Sequence, residues 1–119
     1  MERDLAQDEK REFRRVNVEL KGSYRVLEKE RSEGCAEIQN LSHSGLMFIA
    51  SSVLIRGDAI EMTVYFDEYE IPFSAKVVWL EKLYGSLPEE NKYGVKYTRI
   101  SPLEQSHLAL IISSHLKSE

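Results

Sequence analysis

Apolar and polar residues alternate one for one through much of this chain, and the alternation begins abruptly at Val16. Val16, Val18, Leu20, Tyr24 and Val26 interleave with Asn17, Glu19, Lys21, Ser23 and Arg25, the period of two that puts every second side chain on one face of a half-buried strand. Gly22 interrupts the set and predicts a bulge or bend of the kind found at a barrel corner, because glycine tolerates the backbone geometry of a tight bend. A turn over Glu28 to Gly34 follows. Short runs at Cys35 to Gln39 and Leu46 to Ser51 then flank a polar stretch. Ile60, Met62, Val64 and Phe66 alternate after Arg56-Gly57-Asp58, and Ile71, Phe73, Ala75, Val77 and Trp79 precede a loop at Leu83 to Asn91. Asp67, Glu68 and Glu70 surround the connection between these two runs and read as a solvated hairpin turn. Tyr93 to Ile100 closes the series, and six strands at such short spacing predict a barrel or sandwich.

The two ends differ in kind. Residues 1–9 are polar and charged with nothing to bury, which predicts a mobile N-terminal arm. At the other end, Ser101 stands at an N-cap position, Pro102 at the first helical position and Glu104 where it could complete a capping box, so a helix is predicted over about 102–116. Leu108, Ile111, Ile112 and His115 share one face of it, and Leu103 and Leu110 add apolar surface beside that face. This predicts packing against the sheet. The remaining apolar edge has two readings, closure of one barrel end or the seam of a homodimer.

Composition narrows the function classes. The chain has 119 residues, 42% hydrophobic and 30% charged, with net charge −4, which suits one folded domain over residues 10–119 with a single core. An acidic chain has no overall field that draws polyanions, so any nucleotide contact must come from a local basic cluster. No DNA or RNA partner is expected, since a single-stranded nucleic-acid binder built on a small barrel would want a broad basic groove. Cys35 is the only cysteine; it excludes an internal disulfide, suits a reducing cytoplasm, and reads as a small buried hydrophobe. No apolar run approaches the roughly 20 residues of a membrane-spanning helix.

Two motifs remain. KREFRR gathers Lys10, Arg11, Arg14 and Arg15 into six positions just before the first strand. Arginine presents paired donors that match phosphate oxygens or the O6 and N7 edge of guanine, although such a cluster also serves simply as a solvated flank. NLSHSG, at Asn40 to Gly45, has the composition of a tight connection between strands. Asn40 and Ser42 are two positions apart, so in an extended segment both would project to one side and offer hydrogen bonds to a ligand, with Gly45 allowing ligand or backbone to come close. Trp79 is either core or a stacking face. His107 and His115 stand about two helical turns apart, too far for a metal pair, and His43 reads as a solvated loop residue. No catalytic constellation is present, which predicts a binding module rather than an enzyme, without a cofactor or a metal.

Arg11 and Arg15 as R-x-x-x-R, followed about 25 positions later by Asn40, Ser42 and Gly45 as N-x-S-x-x-G, resemble the signature of PilZ domains, bacterial receptors for cyclic di-GMP. The resemblance covers nearly the whole chain. It implies a mainly β fold, a six-stranded antiparallel split barrel with a C-terminal α-helix, and a ligand site of Lys10, Arg11, Arg15, Asn40, Ser42 and Gly45. Arg11 and Arg15 would grip guanine and phosphate, Asn40, Ser42 and Gly45 would hold another part of the ligand, and the arm would fold over it. Lys10 holds the position that the family associates with one or two bound nucleotides, where arginine goes with pairs. Asn40 replaces a frequent aspartate. The implied function is a cyclic di-GMP receptor acting in the cytoplasm on an effector protein in trans, the alternative being an adaptor of the same fold that works without nucleotide.

Overall fold

The computed structural model describes residues 15–27, 33–85 and 89–117. Six antiparallel strands, β1 (Val16–Val26), β2 (Glu33–Leu41), β3 (Gly45–Ala50), β4 (Ala59–Phe66), β5 (Tyr69–Leu83) and β6 (Glu90–Arg99), precede one helix, α1 (Pro102–Lys117). They close into a barrel in the order β1-β2-β3-β6-β5-β4. Closure leaves no unpaired edge. The alternation read from the sequence is the inside-outside alternation of this barrel: Val16, Tyr24, Ile38, Phe48, Ile60, Val64, Ile71, Val77 and Tyr93 are all buried. Tyr24, Phe48 and Tyr93 stack as tilted rings down the middle, with centroids 5.6 and 5.5 Å apart.

The Tyr93 hydroxyl donates to the Ser52 carbonyl at 2.6 Å and accepts from the Leu54 amide at 3.0 Å and the Asn91 amide group at 3.1 Å. One core side chain thereby ties down the connection between β3 and β4. β4 and β5 join through the expected hairpin turn, with Asp67 at φ 54°, a left-handed conformation that aspartate tolerates better than most residues. α1 packs against β5 and β1, burying Leu108, Ile111 and Ile112.

Several expectations need correcting. The ladder runs straight through Gly22, which pairs with Ala36 on one side and Val64 on the other. Its lack of a side chain answers a close approach instead, since a Cβ there would stand 2.7 Å from the Thr63 carbonyl oxygen. Cys35 is exposed rather than buried, as its parity opposite the inward Ala36 requires. β5 and β6 continue past Trp79 to Leu83 and from Glu90, so their connection is shorter than the loop expected. At the start of α1, Ser101 Oγ accepts from the Glu104 amide at 3.2 Å, but the Glu104 carboxylate turns to His107 Nδ1 at 3.5 Å instead of completing a capping box. Leu103 and Leu110 stay outward, 61% and 50% exposed.

Candidate functional site

The register lines up one outward-facing row across five strands. Asn17 pairs with Asn40, Asn40 with Met47, Met47 with Gly94, and Gly94 with Trp79. Three irregularities of the ladder cluster on this row, between Asn17 and Leu20, between Ile38 and Asn40, and between Val77 and Trp79. At each, an extra residue sharpens the local twist and re-aims the side chains beside it, a device concentrated next to binding sites. The β2 irregularity sets Gln39 and Asn40 together opposite Met47, and the β5 one sets Val78 and Trp79 together opposite Gly94. The row carries no charge.

Gly94 is what lets the indole lie down. A Cβ there would fall 2.2 Å from Trp79 Nε1 and 2.3 Å from Cε2, so the ring takes the space over β6 that a side chain would fill. Trp79 is half-buried on the outer surface, not a core residue. Beyond Met47, the Asn40 side-chain NH2 points to Met47 Sδ at 3.7 Å. Its carbonyl oxygen accepts a hydrogen bond from Arg15 Nη1 at 2.8 Å. The last residue of R-x-x-x-R and the first of N-x-S-x-x-G therefore meet at one end of the row.

The turn after Asn40 is held by its own polar atoms. The Ser42 amide donates to the Gly45 carbonyl at 2.9 Å, while the amides of Ser44 and Gly45 donate to Ser42 Oγ at 3.2 and 3.4 Å. Ser42 is fully buried. Asn40 and Ser42 thus do not share a side as an extended segment would have it: β2 ends at Leu41, and the serine turns inward to build the turn. Gly45 has no Cβ because the β6 backbone occupies that space, with the Val95 carbonyl oxygen 2.1 Å from where one would stand. His43 is exposed at the tip. Lys10 and Arg11 lie outside the described residues.

Sequence reasoning missed Tyr97. Its hydroxyl lies 3.0 Å from the Ser42 carbonyl and 3.1 Å from that of Gly45, so one proton is shared between two acceptors. Its amide donates to Ser44 at 3.0 Å, and its ring meets Phe73 edge-on at 4.9 Å. Burial pushes this phenol above its usual range, and the positive charge of Arg15 opposes the shift only in part. Nothing in the pattern of β6 marks this tyrosine out from the other aromatics. Gly94 carried a signal, since a glycine inside a strand run often marks a close approach. Tyr97→Phe is expected to destabilise the domain by about 1–2 kcal/mol, since the buried Ser42 carbonyl loses its donor while that of Gly45 keeps the Ser42 amide; an unchanged thermal melting temperature would contradict this role.

A groove of about 820 Å3 lies elsewhere, against the start of α1, lined by Arg25, Glu61, Ser74, Arg99 and Glu104 among others. None of Arg15, Asn40, Ser42 and Gly45 lines it, and part of its charge is already committed to the Arg25–Glu61 ion pair. Motifs, bulges and turn all converge instead on the shallow row. No cluster of histidine, cysteine and carboxylate side chains that could hold a metal occurs among the described residues, and no helix among them is long and apolar enough to cross a membrane.

The PilZ domain family model matches residues 9–114. Among solved structures, the PilZ domain of Escherichia coli YcgR with cyclic di-GMP is 16% identical, with 89% of this chain and 91% of that one aligned at a TM-score of 0.70. The Bacillus subtilis inhibitor of motility MotI/DgrA is 18% identical over 88% of this chain, at a TM-score of 0.72. This chain spans about half the length of that protein, 51%. PlzA of Borreliella burgdorferi, in complex with cyclic di-GMP, is 15% identical over 96% of this chain and 58% of its own, at a TM-score of 0.57. At these identities the likeness is one of fold. No curated protein matches the sequence.

Proposed function

Because the chain belongs to the PilZ domain family, we propose that it is a cyclic di-GMP receptor that binds the nucleotide on the outer row of the barrel and signals to an effector protein in trans. The observation that carries this reading is the hydrogen bond from Arg15 to Asn40, 2.8 Å long across 25 residues of sequence. It joins the basic motif to the polar turn at one end of a row with an apolar floor of Met47, Gly94 and Trp79. Arg15 offers a fork of donors to phosphate or guanine, and Asn40 offers both an acceptor and a donor to a base edge. Lys10 and Arg11 would complete the grip from the segment before β1. Ser42 and Gly45 act one step back, by fixing the turn that holds Asn40 in place. Met47 and Trp79 supply the surface on which a purine stacks.

In this reading residues 1–9 form an arm that orders over the bound nucleotide and presents the surface that the effector reads. The module works by binding rather than by catalysis, in the cytoplasm. Calorimetric titration of the purified protein with cyclic di-GMP, with GTP as control, is expected to give saturable binding to the cyclic dinucleotide alone. The stoichiometry reports what Lys10 does in place of arginine. An absence of binding would point instead to an adaptor that works without nucleotide. Hydrogen exchange over residues 1–9 that does not change on binding would remove the ordering step.

A further inference from the structure

Two lysines border the row with no ion-pair partner among the described residues. Lys76 on β5 and Lys96 on β6 are direct partners in the ladder, and both are exposed. Side chains so opposed have Cβ atoms about 5 Å apart, and like charges there repel. Their outer neighbours in the same register are Ala59 on β4 and Gly45 on β3, neither of which carries charge. Among the described residues neither lysine forms an ion pair. Asp58, the carboxylate nearest in sequence to the β4 end of this register, accepts from the Ile55 amide at 2.9 Å. The opposite flank of the row is balanced. There Lys21, 3.3 Å from Glu37, and Lys92, paired in register with Glu81, set each lysine against a carboxylate.

Lys96 is also built into the turn. Lys96 follows Gly94 by two positions and so shares its outward face. The close approach that excludes a side chain at Gly45 is made to this segment, with Lys96 Cα 3.2 Å from where a Cβ would stand. One end of an uncharged row is thus held by Arg15 and one flank by a pair of ammonium groups that no described carboxylate balances. A cyclic dinucleotide carries two phosphodiester groups, each with one negative charge, on opposite sides of its ring. Arg15 at one end meets one of them.

We propose that Lys96, supported by Lys76, anchors the second phosphate of the bound nucleotide. This rests on the receptor reading above. Lysine suits the role as a flexible point charge where no planar pairing is needed. An anion placed between the two ammonium groups also relieves their mutual repulsion, so each contributes more to binding than an isolated surface lysine. The test is calorimetric titration with cyclic di-GMP of the wild type, K96Q, K76Q, R15A and, from the balanced flank, K21Q. K96Q is expected to weaken binding about tenfold, as for a lost hydrogen bond to a charged group, and K76Q about threefold, as for an exposed charge acting without direct contact, with both losses shrinking at high salt. K21Q binds as the wild type does. Ligand-free K96Q melts no lower than the wild type, because one of two opposed like charges is gone. Wild-type affinity in K96Q, alongside a loss in R15A, overturns the anchor and leaves the receptor standing. A wild type that does not bind at all removes the receptor reading, and the anchor with it.

Discussion

Gly45→Ala is expected to melt about 10 °C below the wild type, the largest loss for any single methyl group added to this barrel. The added Cβ would stand 2.1 Å from the Val95 carbonyl oxygen, 3.1 Å from its carbonyl carbon and 3.2 Å from Lys96 Cα. All three are backbone atoms of a central strand, and none can swing aside as a side-chain tip can. β3 and β6 would have to part at a point where their ladder is continuous from Gly45–Lys96 to Ala50–Asn91. Overpacking of this kind costs about 3 kcal/mol, which for a domain of this size corresponds to roughly 4 °C per kcal/mol. Gly57→Ala is the comparison: its φ of 98° strains any side chain, but nothing lies within 4 Å, so the cost is the backbone term alone, about 1–2 kcal/mol. Thermal melting of the two variants ranks them. If Gly45→Ala melted within about 2 °C of the wild type, the close approach of β6 to the turn would be wrong.

That glycine illustrates what the sequence discloses and what it withholds. The strands were legible because each turns one face to the core, so burial imposes the period of two on the residues themselves. The helix start was legible because Ser101 and Pro102 act within one turn of the chain. Cys35 was legible too, had parity been weighed above residue type: Ala36 and Ile38 face inward, so the residue before them faces out. What stayed hidden depends on neighbours distant in sequence. The reason for Gly22 lies at Thr63, the reason for Gly45 at Val95, and the reason for Gly94 at Trp79. No local pattern carries those pairings.

The site was half visible for the same reason. N-x-S-x-x-G marked the turn between β2 and β3, but where its side chains point follows from where β2 stops. An irregularity between Ile38 and Asn40 presents Asn40 outward, and two residues later the chain has left the strand, so Ser42 falls inside rather than beside it. Tyr97, 52 residues beyond Gly45, closes the same turn with its hydroxyl. Trp79 joins the row only because β5 carries an extra residue before it. The floor of the site is therefore a product of register, which the barrel sets as a whole.

Arg15→Ala is expected to weaken cyclic di-GMP binding by a hundredfold or more, about 3 kcal/mol, the upper range for a hydrogen bond to a charged group. In the proposed complex the guanidinium would do two jobs, to meet an anionic group of the ligand and to hold the Asn40 carbonyl, as it does at 2.8 Å in the fold. Asn40→Ala removes only the second job and one base contact, so its loss is about tenfold, near 1.4 kcal/mol. Because the two side chains touch, the double variant should lose less than the sum of the singles, and the shortfall measures how far Asn40 acts by orienting Arg15. Asn40→Asp tests the same contact from the other side. A carboxylate here turns the bond from Arg15, already charge-assisted through its donor, into an ion pair that can become bidentate, and it offers guanine nitrogens a stronger acceptor. Tighter binding in Asn40→Asp, with an additive double variant excluded, is the expected pair of results. Strictly additive losses in Arg15→Ala and Asn40→Ala would mean that the two motifs meet in the fold without acting together on the ligand.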